Sequence, residues 1–299
     1  MDKKTVIALG FFDGVHAGHA SLMQRAAERA AEKNMEPVVV SFDVHPDTLV
    51  FGTKVPLINS ARDREDIVYR SFGIERVVLL HFSRTVMQTP WDEFLSSLIE
   101  ELNAGHIVAG YDFTFGSRGE GNAEKLSAYC AGHSIGCDIM PAVMLEGGVV
   151  SSTRIRACLE QGDIPMANRL LGHPYFLSDT VHPGFHLGRK LGSPTINMYY
   201  PDNVLVPRRG VYAARAVFED GSFVNAVTNI GTRPTVTDSD AVSVESHLLG
   251  FSGDLYGRHV RLDFYAFLRP EQKFESFELL SAQIKKDTAA AEEFFAGRA

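Results

Sequence analysis

Long apolar runs, paired cysteines and surplus positive charge are all missing from this 299-residue sequence, and each absence narrows what it can do. No segment approaches the ~20 apolar residues that a membrane-spanning helix needs. Met1-Asp2-Lys3-Lys4 runs straight into a strand-like segment, without the apolar stretch of a signal peptide. No membrane partner is expected. The three cysteines, Cys130, Cys137 and Cys158, form no C-x-x-C pair and are odd in number. They read as buried or inert thiols in a reducing compartment, so a cytoplasmic location is expected. The net charge of -8 lacks the lysine and arginine surplus on which sequence-independent nucleic-acid binding rests, and no nucleic-acid partner is expected. Small phosphorylated ligands stay open, because a local cluster of donors is enough for them. Repeats and low-complexity tracts are absent as well.

What is present is the balance of an ordinary globular enzyme, 45% hydrophobic and 22% charged. The length exceeds one ordinary domain and suits two, each with its own core.

The chain is organised around Gly10-Phe11-Phe12-Asp13-Gly14-Val15-His16-Ala17-Gly18-His19. Thr5–Leu9 before it is a short apolar run that reads as a buried strand. After it, Leu22, Ala26, Arg29, Ala30 and Lys33 fall at helical spacing. Strand, glycine-rich turn and helix in this order put His16 and His19 at a helix start, where free N–H groups and the positive dipole end favour phosphate. Gly18 leaves no side chain between the two rings. A pair of surface loop histidines is the alternative reading of H-x-G-H on its own. The flanking strand, Gly10, Asp13 and Gly18 favour a nucleotide site, and the pattern resembles the nucleotidylyltransferases of the Rossmann-like superfamily.

Four further strand-like runs follow in the first half, Pro37–Phe42, Arg76–Leu80, His106–Gly110 and Cys137–Met140, with helices between them. Ser60 precedes the helical segment 61–71, and Thr89 with Pro90 at the first helical position precedes Trp91–Leu102. Near-continuous apolar strands separated by helices predict an α/β domain with a parallel sheet covered on both faces. Ligands of such sheets bind beyond the carboxyl ends of the strands. Phe42-Asp43-Val44-His45-Pro46, Gly110–Gly121 and Ser151-Ser152-Thr153-Arg154-Ile155-Arg156 are expected to converge there. Taken alone, the last is an ordinary capped helix start. Beside H-x-G-H it resembles the second phosphate clamp of the superfamily.

The ordered set G-F-F-D-G-V-H-x-G-H, F-D-x-H-P, G-Y-D-F-x-F-G and S-S-T-R-I-R resembles the FMN adenylyltransferase module of bacterial bifunctional riboflavin kinase/FAD synthetases. The resemblance implies that ATP and FMN meet here to give FAD and pyrophosphate. His16 and His19 would contact the ATP phosphates, with Gly10, Asp13 and Gly18 in the same phosphate loop. Ser152, Thr153 and Arg156 would hold the leaving pyrophosphate, and Asp112 would lie near the nucleotide or flavin.

Beyond Gly172-His173-Pro174 the periodicity changes. Val211–Phe218, Ser222–Val227, Val242–Leu249 and His259–Phe267 alternate as strands, the first two joined through Glu219-Asp220-Gly221. Short strands without intervening helices predict an antiparallel barrel. Phe277, Leu280, Ile284, Ala291 and Phe295 then mark an amphipathic terminal helix. The predicted domains are therefore residues 1–171 and 172–299. G-R-K-L-G-S-P-T-I-N, N-I-G-T-R-P-T, V-E-S-H-L-L and D-L-Y-G resemble the riboflavin kinase module, so the likeness extends over essentially the whole chain.

That likeness implies the remaining roles. Gly184, Gly188, Arg189 and Gly192 would wrap ATP phosphates. Thr195 and Asn197, whose oxygens are hard ligands, would hold Mg²⁺. Glu245 would be the base that accepts the proton of the riboflavin hydroxyl, since an alcohol is almost un-ionised at neutral pH. Arg269 joins Asp112 as a flavin contact. Adenylyl transfer needs no base, because the phosphate of FMN is already ionised, and its requirement is charge stabilisation around the α-phosphate. The expected partners are thus riboflavin, FMN, FAD and ATP. The sequence departs from the family spelling at Ser193 and Ile196, and at Asp179, where glycine is common. Two other readings stay open here, an enzyme that only transfers adenylyl groups while its barrel merely binds flavin, and a flavin-sensing regulator without turnover.

Overall fold

The computed structural model describes residues 3–52, 54–183, 195–232 and 242–297, and the chain divides into two compact units, Met1–Ser152 and Thr153–Ala299. In the first unit, strands β1 (Thr5–Leu9), β2 (Glu36–Phe42), β3 (Arg76–Leu80), β4 (Ala104–Gly110) and β5 (Gly136–Met140) form a parallel sheet in the order β3-β2-β1-β4-β5. All five expected strands are present, with β2, β4 and β5 starting one or two residues earlier. Every residue of β1 is buried, as its continuous apolar run requires at the centre of a doubly covered sheet.

Helix α1 (Ala17–Lys33) buries Leu22, Met23, Ala26 and Ala30 along one stripe and ends at Asn34, which takes the left-handed conformation common after a helix. Then come α2 (Pro46–Phe51), α3 (Ala61–Phe72), α4 (Arg84–Gln88), α5 (Trp91–Leu102) and α6 (Ala123–Gly132). The Ser60 hydroxyl caps α3 by accepting the Asp63 N–H at 3.1 Å. Pro90 is the cap of α5 and not its first helical residue. Leu95, Leu98 and Leu102 of α5 and Leu126 and Cys130 of α6 pack with Ile7, Leu9, Val38 and Ile107 from the sheet. A small hairpin, β6 (Met144–Leu145) with β7 (Gly148–Val149), leads out of the unit.

The second unit begins in α7 (Ser152–Gln161), followed by α8 (Ile164–Leu171). Its sheet is antiparallel, in the order β8 (Tyr175–Thr180), β13 (His259–Pro270), β10 (Gly210–Val217), β11 (Phe223–Thr232), β12 (Val242–Leu248) and β9 (Thr195–Tyr199). The sheet curls until its edge strands meet. His182, just past β8, donates its backbone N–H to the Asn197 carbonyl at 2.9 Å. Asp179 helps close the same edge, its carboxylate accepting the Tyr199 N–H at 2.9 Å and lying 3.2 Å from the His182 ring. The carboxylate that departs from the family spelling is therefore used in closing the barrel.

Helix α8 belongs to this unit's packing. Asn168 donates its side-chain amide to the Phe264 carbonyl at 2.8 Å and accepts the Tyr175 N–H at 2.7 Å. The C-terminal helix, Phe277–Ala296, lays Ala291 and Phe295 against Ala213, Val227 and Tyr265. Among the described residues, no helix is long and apolar enough to cross a membrane.

Candidate functional site

In the first unit the chain leaves β1 through a strained loop. Phe12 (φ 54°) and Val15 (φ 41°) both take left-handed conformations, at roughly 1–3 kcal/mol each for residues with side chains. The turn delivers His16 to the N-cap of α1, where its Nδ1 accepts the His19 N–H at 3.2 Å. That bond leaves the imidazole proton on Nε2, so His16 presents a donor. Gly18 permits the arrangement, since a Cβ there would stand 3.0 Å from the His16 ring. The rings of His16 and His19 stack with centroids 3.5 Å apart and planes 15° from parallel. Burial pushes the His19 imidazole well below the usual histidine range, and neighbouring His16 and Arg64 push the same way. Its Nδ1 has no hydrogen-bond partner among the described residues.

These rings line a cavity of about 890 Å³ beyond the carboxyl ends of the strands. Gly10 after β1, Phe42 at the end of β2 and His45 after it, Asp112 after β4 and Met140 at the end of β5 all face it, so three of the expected loops share one edge. Ser151 and Ser152 complete the lining from the fourth, and the Ser152 hydroxyl donates to the Asp13 carbonyl at 2.9 Å. β1 is paired on both sides, and the chain order reverses between it and β4, the topological switch where such sheets take ligands. Gly116 (φ 72°) is required in the loop after β4, because a Cβ would come within 2.4 Å of the Trp91 backbone. Asp13 lies deeper, 1% exposed, with its carboxylate accepting the Ile58 N–H at 2.8 Å.

The second unit holds a different arrangement. Asn197 on β9 is in register with Glu245 on β12, Glu245 with Asn229 on β11, Asn229 with Val211 on β10, and Val211 with Arg269 on β13. Residues directly opposite in antiparallel strands share a face, so these side chains form one row across the sheet. Thr195, two residues before Asn197, is in register with His247 in the next row. A buried amide, an exposed carboxylate and a hydroxyl thus stand together at the sheet edge.

Two family models match the chain, FAD synthetase over residues 1–154 and riboflavin kinase over residues 171–295. Bifunctional riboflavin kinase/FMN adenylyltransferases are among its relatives. The one from Escherichia coli (strain K12) is 37% identical over 294 residues, covering 97% of this chain and 92% of its own. The one from Bacillus subtilis (strain 168) is 34% identical over 296 residues, covering 98% and 93%. The chain belongs to the bifunctional riboflavin kinase/FMN adenylyltransferase family. A crystal structure described as a macrolide-efflux protein from Streptococcus pneumoniae has the same fold, with a TM-score of 0.85 at 31% identity, covering 98% of this chain and 95% of that one.

Within this family frame, the FAD synthetase match carries the cavity and the riboflavin kinase match carries the row. Gly10, His16, Gly18, His19, Asp112 and Ser152 surround one space. Thr153 and Arg156 fall in α7, on the second unit's side of the division. Gly184, Gly188, Arg189, Gly192 and Ser193 lie outside the described residues. Ile196 is buried between Thr195 and Asn197 and by alternation points to the other face, so this departure leaves the row untouched. Arg269 ends the row, but its guanidinium is held by both oxygens of Asp287 at 2.8 and 2.7 Å, fastening the C-terminal helix. Asn229 lies within the N-I-G-T-R-P-T motif, and only the register of β11 with β12 puts it beside Glu245. Arg64 belongs to no motif.

The donor set at the barrel edge fits magnesium. A hydroxyl and an amide oxygen on one face, with a carboxylate in register, are hard oxygen donors, and Mg²⁺ takes few protein ligands because it keeps waters and phosphate oxygens. Among the described residues there is no cluster of three or more His, Cys, Asp or Glu that would favour a softer or all-protein site.

Proposed function

We propose that the chain performs both reactions of its family, phosphorylation of riboflavin to FMN in the barrel unit and adenylyl transfer from ATP to FMN in the α/β unit. The observation that carries this reading is the register of Asn197 with Glu245, which puts a metal-type oxygen donor beside a carboxylate within the span matched to riboflavin kinase. In the kinase step, a riboflavin hydroxyl oxygen bonds to the γ-phosphorus of ATP, its proton passes to Glu245 and ADP leaves. Thr195 and Asn197 would hold Mg²⁺, which supplies charge neutralisation on the phosphates when bound. Asn229 is in register with Glu245 on the strand to its other side.

In the adenylyl step, a phosphate oxygen of FMN bonds to the α-phosphorus of ATP and the α–β bridge breaks, releasing pyrophosphate. No proton has to be removed. The His16 Nε2–H points its dipole at developing charge, and His19 offers a second ring at stacking distance. Thr153 and Arg156 are assigned to the pyrophosphate by their motif. Aromatic and aliphatic side chains on the β2 side of the cavity, Phe11, Phe42, Phe82 and Met87, suit a flat apolar ring system.

Incubation of the protein with riboflavin, ATP and Mg²⁺, followed by chromatography, tests the reading. FMN should appear first and FAD after it. A folded protein that makes FAD from supplied FMN but no FMN from riboflavin is a one-reaction enzyme with a flavin-binding barrel. One that makes neither product overturns the proposal.

A further inference from the structure

Arg64 stands in the first turns of α3 and is 2% exposed. The position is unfavourable twice, because a buried charge loses its hydration and a cation near a helix N-terminus opposes the dipole. What holds it there is a set of partners at the edge of the adenylyl cavity. One terminal nitrogen donates to the Phe11 carbonyl at 2.9 Å and to the Ser41 hydroxyl at 3.1 Å. The other donates to the Phe42 carbonyl at 3.0 Å. The Ser41 hydroxyl itself donates to the Phe11 carbonyl at 2.6 Å, and the guanidinium lies 5.3 Å from the centre of the Phe11 ring. Asp13 and Asp43 supply opposing negative charge.

One rigid fork therefore joins the loop after β1 to the carboxyl end of β2. Phe11 immediately precedes left-handed Phe12, and the strained segment from Phe12 to Val15 delivers His16. A strained loop persists only where its surroundings over-determine it. We propose that Arg64 is a positioning residue for adenylyl transfer, fixing the His16–His19 pair against the Phe42 wall of the cavity through the Phe11 and Phe42 carbonyls. The proposal rests on reading this cavity as the adenylyl site. Arg64 also acts through space, since its charge is one of three influences that keep His19 unprotonated, after burial and His16. The other ionisable side chains around the cavity are His45, Asp47, Tyr111, Asp112 and Arg118.

The test uses the full chain with Arg64→Met, which keeps length but loses charge and donors, and Arg64→Lys, which keeps charge but loses the fork. FMN-to-FAD turnover at saturating substrates should fall by about 10²-fold in Arg64→Met, the scale for misplacing reacting groups by about 1 Å. Riboflavin phosphorylation in the same samples should be unchanged. The NMR titration midpoint of the His19 ring should rise in Arg64→Met and stay near wild type in Arg64→Lys, while turnover in Arg64→Lys recovers only in part. A purely structural arginine would not produce that split. Wild-type turnover and an unmoved His19 midpoint in Arg64→Met overturn the proposal. If Arg64→Met does not fold, a folded Arg64→Lys with wild-type turnover overturns it equally. Should His19→Ala keep wild-type turnover, the reading of the cavity fails instead, whatever the Arg64 variants do.

Discussion

Asn197 and Glu245 stand directly opposite each other on neighbouring antiparallel strands, although 47 residues of chain and two other strands separate them in sequence. Opposed side chains in such a pair have Cβ atoms ~5 Å apart, close enough for an oxygen donor and a proton acceptor to serve one phosphoryl transfer.

Glu245→Gln keeps the shape of the side chain and removes the proton acceptor. Riboflavin phosphorylation should fall by about 10²–10⁴-fold, the usual worth of general-base help, with riboflavin and ATP still bound. FAD formation from supplied FMN should proceed normally. Quenched assays with each flavin as substrate decide the matter, and near-normal FMN production by the folded variant removes Glu245 as the base.

The stacked histidines allow the complementary experiment. His16→Ala or His19→Ala should slow adenylyl transfer by about 10²–10³-fold, as expected for losing one preorganised charge-stabilising group, and leave the kinase reaction intact. His16→Ala also removes the cap of α1, so the substitution should lower stability by about 1 kcal/mol, readable by urea unfolding. Wild-type FAD formation at saturating FMN and ATP in both variants would mean that this cavity is not the phosphate site.

Acid should weaken the first unit in a particular window. The folded His19 has its pKa depressed, chiefly by burial, so just below the ordinary histidine value of about 6.5 the unfolded chain binds a proton that the folded one refuses. Stability therefore rises with pH through this window and is lost as the pH falls below it. Buried His106 is shifted in the same direction, by burial and then by Lys33, and adds to the effect. In His19→Asn the slope of stability against pH between 7 and 5 should flatten by up to about 1.4 kcal/mol per pH unit. Denaturant titrations at several pH values measure it, and an unchanged slope contradicts the account.

A cut at the proposed joint after Leu171 separates the two sets of motifs, and both fragments should keep their own reactions. The C-terminal fragment should be fragile, however. It loses α8, with buried Ile164, Leu170 and Leu171 and the Asn168 bonds to Phe264 and Tyr175. At about 1.5–3 kcal/mol per buried aliphatic side chain, residues 172–299 should melt more than about 10 °C below residues 153–299. Equal melting temperatures would show that α8 contributes nothing to the barrel.

The sequence by itself determined the parts of this protein whose causes are local. Thr5–Leu9 and Trp91–Leu102 were legible because a continuous apolar run or a 3.6-residue stripe reports the burial of its own segment. His16 and His19 were legible because a strand, a glycine turn and a helix start are contiguous in the chain. β8 was missed because only its first three residues are fully buried, so the run is short. β9 starts inside the G-R-K-L-G-S-P-T-I-N motif, whose glycines hide the run. α8 lies just before the expected boundary at residue 171, yet Asn168 ties it to the barrel strands. Only the tertiary structure decided which distant residues face one another. Strand register matched Asn197 to Glu245 and Glu245 to Asn229, and folding brought the Arg64 fork to the Phe11 and Phe42 carbonyls and Arg269 to Asp287. No periodicity encodes such pairings, because each depends on how the ends of two separately formed elements are packed, and that is settled by the core between them.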